Sequence, residues 1–175
     1  FLSILSFWEN GVWSTGLLVF AYQMMLILVL GHILVLSKPM NYLIQGLTRY
    51  TTNTRNAVIL VSVTTLLVSF FNWGLGLIFG AILARKVAEA AQERGFAINY
   101  PLVGASGYVG LMIWHGGISG SAPSKVSESG HLMSFVGKMS DPSIQSQIPD
   151  LIPYSETIFS GFNLTIFAVL LNGRV

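Results

Sequence analysis

The sequence predicts an all-α integral membrane fold, with transmembrane helices, a re-entrant helical hairpin and a broken helix. Three observations predict it. Of the 175 residues 53% are hydrophobic and 9% charged, with a mean hydropathy of +0.67. A soluble domain carries about 25% charged residues, so this chain lacks the polar surface to face water, and the lipid bilayer is its first expected partner. Several long runs approach the roughly 20 apolar residues that cross a hydrocarbon core of about 30 Å. Two of those runs hold clusters of Gly, Asn and Ser in their middle, where a regular helix does not propagate. The same composition excludes a cytosolic enzyme, a disordered segment and a nucleic-acid-binding domain. The 9 Lys+Arg against 7 Asp+Glu leave a net charge of +2, no footprint for a polyanion. With no cysteine there is no disulfide, thiolate metal site or Cys nucleophile, and metal chemistry would rest on three histidines.

The chain opens on Phe1 without an initiator Met and closes on Arg174-Val175 straight after an apolar run, Ile166 to Leu171. This reads as an internal piece or truncated copy of a longer membrane protein, with part of any binding site outside it. No secretory signal is expected, since no basic segment precedes the first apolar stretch. Residues 12–37, Val12 to Ser37, form the clearest transmembrane helix: charge-free, with Trp13 at one end and Lys38-Pro39 at the other. Gln23 and His32 lie nine positions apart within it and so on opposite faces. Met40 to Arg55 carries Arg49 and Arg55 among Tyr and Leu and reads as an interfacial, cytoplasm-facing connector.

Ala57 to Leu83 is long enough to cross, but Asn72-Trp73-Gly74-Leu75-Gly76 interrupts it. The bias of Lys and Arg toward the cytoplasm separates two topologies. A straight crossing puts Lys38, Arg49, Arg55, Lys125 and Lys138 inside against Arg85, Lys86, Arg94 and Arg174 outside, five to four. A hairpin turning at Asn72 to Gly76 leaves only Lys125 and Lys138 outside, seven to two. Residues 57–94 are therefore expected to form a re-entrant hairpin, with arms of about 15 residues, or about 22 Å each. Ala84 to Arg94 leaves the membrane with Lys86, Glu89 and Glu93 at helical spacing, and Gly95 stops it.

Residues 99–123 are expected to form a broken helix. Asn99-Tyr100-Pro101 opens it, with Pro in the first turn, and an apolar run continues to Trp114. His115 to Pro123 then brings three glycines, two serines and a proline within nine residues. At membrane depth such backbone persists only against protein or a wet cavity. Residues 124–150 read as an external polar loop and 152–171 as a second ordinary span, with Pro153 near its start and Ser160-Gly161-Phe162-Asn163 inside it. No repeat of 20–50 residues is visible.

A helix broken at the midplane exposes carbonyls at one half's C-terminus, which suit a cation, and N–H groups at the other half's N-terminus, which suit an anion. The first break supplies Asn72, Trp73, Gly74 and Gly76 as candidate binding residues. The second supplies Trp114, His115, Gly116 and Gly117, followed by Ser119, Gly120 and Ser121. Plainer readings stand beside these: glycines that only allow close helix packing, tryptophans as interface anchors, and His32 and His115 as hydrogen-bonded packing residues. His131 reads as solvated, and Arg85, Lys86 and Arg94 as anchors of helix ends. The breaks hold no Lys or Arg, which favours a ligand with a single carboxylate over a dicarboxylate. An integral-membrane enzyme using His115 as base is the competing class, but no acidic residue lies between Val12 and Ala88 to assist it. A non-functional fragment is the third.

A family resemblance appears at the same residues. Phe71-Asn72-Trp73-Gly74-Leu75-Gly76-Leu77 with Gly80-Ala81 and Ala84-Arg85, then Tyr100-Pro101-Leu102, Tyr108-Val109-Gly110 and Trp114 to Ser121, resemble the bacterial short-chain fatty acid transporter family, which includes acetoacetate and butyrate permeases. Gln23-Met24 with Gly31-His32, and Pro153 with Thr157 to Asn163, fit the same pattern. The resemblance implies a multi-pass carrier of the inner membrane in the ion transporter superfamily, built from two inverted repeats, of which this chain is roughly the first. It implies a small carboxylate substrate, no organic cofactor, and a coupling Na+ or H+. The missing second repeat would be its partner in completing the site, and a homo-oligomer is compatible with it. Another organic anion carried by the same fold is the alternative. Residues 124–150 are longer than the pattern leads one to expect.

Overall fold

The computed structural model describes residues 2–136 and 141–172, and among these every regular element is helical. Lys138 and Arg174, both used in the charge comparison, lie outside the described residues. Helix α1, Leu2–Val12, precedes the first expected span; the chain turns at Trp13-Ser14, where Trp13 N–H bonds the Glu9 carbonyl at 3.1 Å. Helix α2, Thr15–Val35, therefore begins three residues later than the expected 12–37 span, because extended Ser14 caps it. Its 21 residues measure about 31 Å at 1.5 Å per residue, enough for a bilayer core. The chain then bends at extended Ser37, and Pro39 in the first turn opens α3, Lys38–Thr48, which buries Ile44 and Thr48.

Two helices joined by one residue form the centre of the molecule. Asn53 accepts a bond from Asn56 N–H at 2.9 Å and opens α4, Thr54–Phe71. Asn72 is extended (φ −150, ψ 118), ending α4 and capping α5, Trp73–Glu93. The two pack antiparallel, with Ser69 facing Gly76 and Thr65 facing Gly80 so closely that a Cβ on either glycine would collide with its neighbour. Their free ends also meet: the Arg94 guanidinium donates to the Thr48 carbonyl at 3.0 Å, and Asn99 N–H to Thr54 Oγ1 at 3.0 Å. The chain thus folds back at Asn72 and brings Arg49, Arg55 and Arg94 to one end. The arms have 18 and 21 residues, about 27 and 31 Å; the first starts three residues ahead of the expected Ala57, and the second runs past the apolar stretch to Glu93, next to the expected end at Arg94. Val35, Val61, Phe79, Leu83, Val87 and Val103 form the core, each 0% exposed. Past it, Arg85 and Lys86 both pair with exposed Glu89 at 2.8 Å, and Gly95 (φ +75) ends the run.

The third segment breaks sooner than expected. Asn99 caps Leu102 N–H at 3.2 Å and Pro101 sits in the first turn of α6, but α6 runs only from Tyr100 to Ser106. Two 3-10 turns, Val109–Met112 and Trp114–Gly116, replace the helix expected up to Trp114. The reason is packing: Gly107 lies against the Gly80 carbonyl and Gly110 against the Ser69 hydroxyl, positions with no room for a Cβ.

Within the polar stretch at 124–150 the described residues include α7 (Ser121–Val126), α8 (His131–Val136) and α9 (Pro142–Gln145). Asp150 ties its ends together, accepting from Ser129 Oγ at 2.6 Å and Gly130 N–H at 3.0 Å. The helix expected over 152–171 occupies only α10, Gly161–Leu171, while residues 152–160 make turns around Pro153. Ser160 is the N-cap of α10, not its interior; eleven residues reach about 16 Å, about half a bilayer core.

Candidate functional site

The two breaks, some 46 residues apart in sequence, are joined in space. Trp73 N–H, the first amide of α5, donates to Ser119 Oγ at 2.9 Å. Ile118 N–H donates to the Phe70 carbonyl at 2.7 Å, satisfying a carbonyl at the end of α4. Gly117 lies against the Phe70 backbone so tightly that only hydrogen fits. The ring centroids of Trp73 and Trp114 lie 5.5 Å apart, and those of Trp114 and His115 3.9 Å apart with the planes tilted by 32°. Asn72, Trp73, Trp114, His115, Gly116, Gly117 and Ser119 therefore belong to one constellation. Of the remaining candidates, Gly74 packs under Ile27 of α2, Gly76 against Ser69 and Gly120 against the His115 carbonyl, and Ser121 is exposed at the start of α7.

The N-terminus of α5 is the electrostatic feature of the site. Aligned peptide dipoles place about half a positive charge there, and nothing cationic accompanies it. Asn72 Oδ1 holds Leu75 N–H at 2.9 Å and Ser119 Oγ holds Trp73 N–H at 2.9 Å, while the Asn72 carbonyl makes the first intrahelical bond of α5, to Gly76 N–H at 2.9 Å. Two neutral side-chain oxygens thus occupy positions where anion oxygens sit at helix N-termini. A carboxylate that displaced the Ser119 hydroxyl would gain a charge-assisted bond in place of a neutral one. Among the described residues no group of three or more His, Cys, Asp or Glu could hold a metal ion. His32 points outward from α2 and His131 opens α8, so neither joins the constellation.

Asn163, placed by the sequence only within the last span and the family pattern, joins the site. Its Nδ2 donates to the carbonyls of Gly116 and Ile158, both at 2.8 Å, and its own N–H reaches Ser160 Oγ at 3.3 Å. It therefore fastens α10 to the second break, and Gly116 must lack a Cβ because Asn163 Oδ1 fills that space. A signal was present: a Ser followed three residues on by a polar side chain resembles a helix-capping pattern, at Ser160 and Asn163.

A family model described as short chain fatty acid transporter matches residues 1–175. A relative from Escherichia coli (strain K12) is 34% identical over 170 residues, 97% of this chain and 34% of its own length. One from Haemophilus influenzae (strain ATCC 51907 / DSM 11121 / KW20 / Rd) is 32% identical over 165 residues, 94% of this chain and 34% of its own. Both bear the name "Putative short-chain fatty acid transporter". The chain spans about a third of the length of these curated relatives. No solved structure matches it.

Proposed function

The chain belongs to the short-chain fatty acid transporter family, and we propose that it forms one repeat of a secondary carrier that moves small monocarboxylates, such as acetoacetate or butyrate, across the bacterial inner membrane. The observation that carries this reading is the 2.9 Å bond from Trp73 N–H to Ser119 Oγ, which joins the two breaks at an uncharged helix N-terminus. Such a terminus holds one carboxylate without burying a Lys or Arg, and releases it readily. The hairpin of α4 and α5 enters the membrane and returns, with its Asn72 turn facing a second, inverted repeat that completes the site. A proton or sodium gradient drives the cycle, and the carrier crosses the membrane several times. The competing enzymatic reading rests on His115, which is exposed and lies against the indole of Trp114.

The test is uptake by the full-length transporter. Asn72→Ala or Ser119→Ala lowers butyrate uptake at unchanged membrane abundance, and unchanged uptake in both variants refutes the assignment of the site.

A further inference from the structure

We infer that the cavity beside the second break seats the hydrocarbon tail of the carried acid, and that Phe167 and Leu170 of α10 set the tail length it accepts. This rests on the reading of the chain as part of a monocarboxylate carrier. The cavity measures about 90 Å³ and lies among Phe70, Ile113, Gly116, Asn163, Phe167 and Leu170. It is half open, with exposed Met112 and Ile166 at its rim. At roughly 30 Å³ for each group the size of a water molecule, it takes about three, the tail of a four-carbon acid. Apart from Asn163 its lining side chains are apolar, with the rings of Phe70 and Phe167 4.8 Å apart.

Its position and its polar atoms fix the orientation of a ligand. Phe70 and Gly116 border both the cavity and the joined breaks: the Phe70 carbonyl holds Ile118, whose neighbour Ser119 holds the first amide of α5. At the α10 side the one polar side chain is Asn163, and both its amide hydrogens are spent on the Gly116 and Ile158 carbonyls. What it leaves is a carboxamide oxygen, an acceptor that repels a carboxylate. The charged end therefore lies toward the α5 terminus, and the tail toward α10. Asn163, Phe167 and Leu170, spaced by four and three residues, share the half-buried face of α10, whereas Phe162, Leu164 and Val169 are exposed.

The experiment uses the full-length transporter in liposomes, with labelled butyrate uptake competed by unlabelled straight-chain acids of two to eight carbons. Wild type is competed best near four carbons. Leu170→Ala and Phe167→Leu enlarge the seat and move the optimum to longer acids, with a gain of about fourfold for each methylene newly accommodated; Leu170→Phe moves it to shorter ones. A length profile unchanged in variants that still carry butyrate overturns the tail seat and leaves the transport reading standing. Absence of uptake for every acid by wild type overturns both. If the larger changes prevent accumulation in the membrane, Ile113→Val, which removes one methyl from the same wall, gives the same decision on the same curve.

Discussion

Removal of one oxygen tests whether the two breaks are joined in the membrane. In Ser119→Ala the Trp73 amide loses its acceptor at 2.9 Å, while the neighbouring Leu75 amide keeps Asn72 Oδ1 at 2.9 Å. A donor left unpaired out of water costs about 1–3 kcal/mol. Trp73 is half-buried, so water replaces part of the lost bond and the lower end of that range applies, about 1 kcal/mol. At 1.4 kcal/mol per tenfold, local opening becomes about 5-fold more frequent, against about 150-fold for a fully dry amide. Hydrogen–deuterium exchange by mass spectrometry, on full-length transporter in nanodiscs, reads this directly in peptides covering residues 70–76. Exchange at Trp73 should accelerate by that factor, Ser119→Thr should restore it, and the Asn56 amide, capped by Asn53 at the far end of α4, should not respond. An unchanged Trp73 rate in Ser119→Ala, alongside faster exchange at Leu75 in Asn72→Ala, would refute the junction.

Thr65 Oγ1 is fully buried with no hydrogen-bond partner among the described residues. Thr65→Val, of the same shape, should raise the melting temperature of the full-length protein by about 1–4 °C; a fall on heating in detergent would mean that the hydroxyl meets a group elsewhere in the whole protein. Single cysteines at Thr54, Gln92 and Ser129 of the full-length carrier address the hairpin's placement. An impermeant maleimide applied to whole cells should label Ser129 alone, and labelling at Gln92 would show that α5 emerges on the opposite side from Thr54.

Local chemistry made the turn at Asn72 legible: an Asn that caps, two glycines and an absence of charge sit inside an apolar run, and the flanking arginines call for a return. The second arm ends at Glu93, close to the stop that Gly95 marks in the sequence, whereas the first starts at Thr54, ahead of the expected Ala57, because Asn53 caps it. Helix α1, with Glu9, Asn10 and Gly11 in its last turns, lies ahead of the elements expected from the sequence. The end of α6 depended on contacts that sequence cannot display. Gly107 and Gly110 become crossing points only once Gly80 and Ser69 lie beneath them. The same holds for the site: the residue types at both breaks were visible, but the close packing of Gly74 under Ile27 and of Gly76 against Ser69 was not, and Asn163 reaches Gly116 across 47 residues.

Asn72 carries two duties at once. The single residue that reverses the chain also supplies the oxygen over the α5 terminus, so any change there alters the turn and the terminus together. A hairpin built this way has little freedom to vary at its turn. Variation is open on α10, whose inward face borders the cavity beside the second break yet closes no turn, and divergence between relatives should accumulate there.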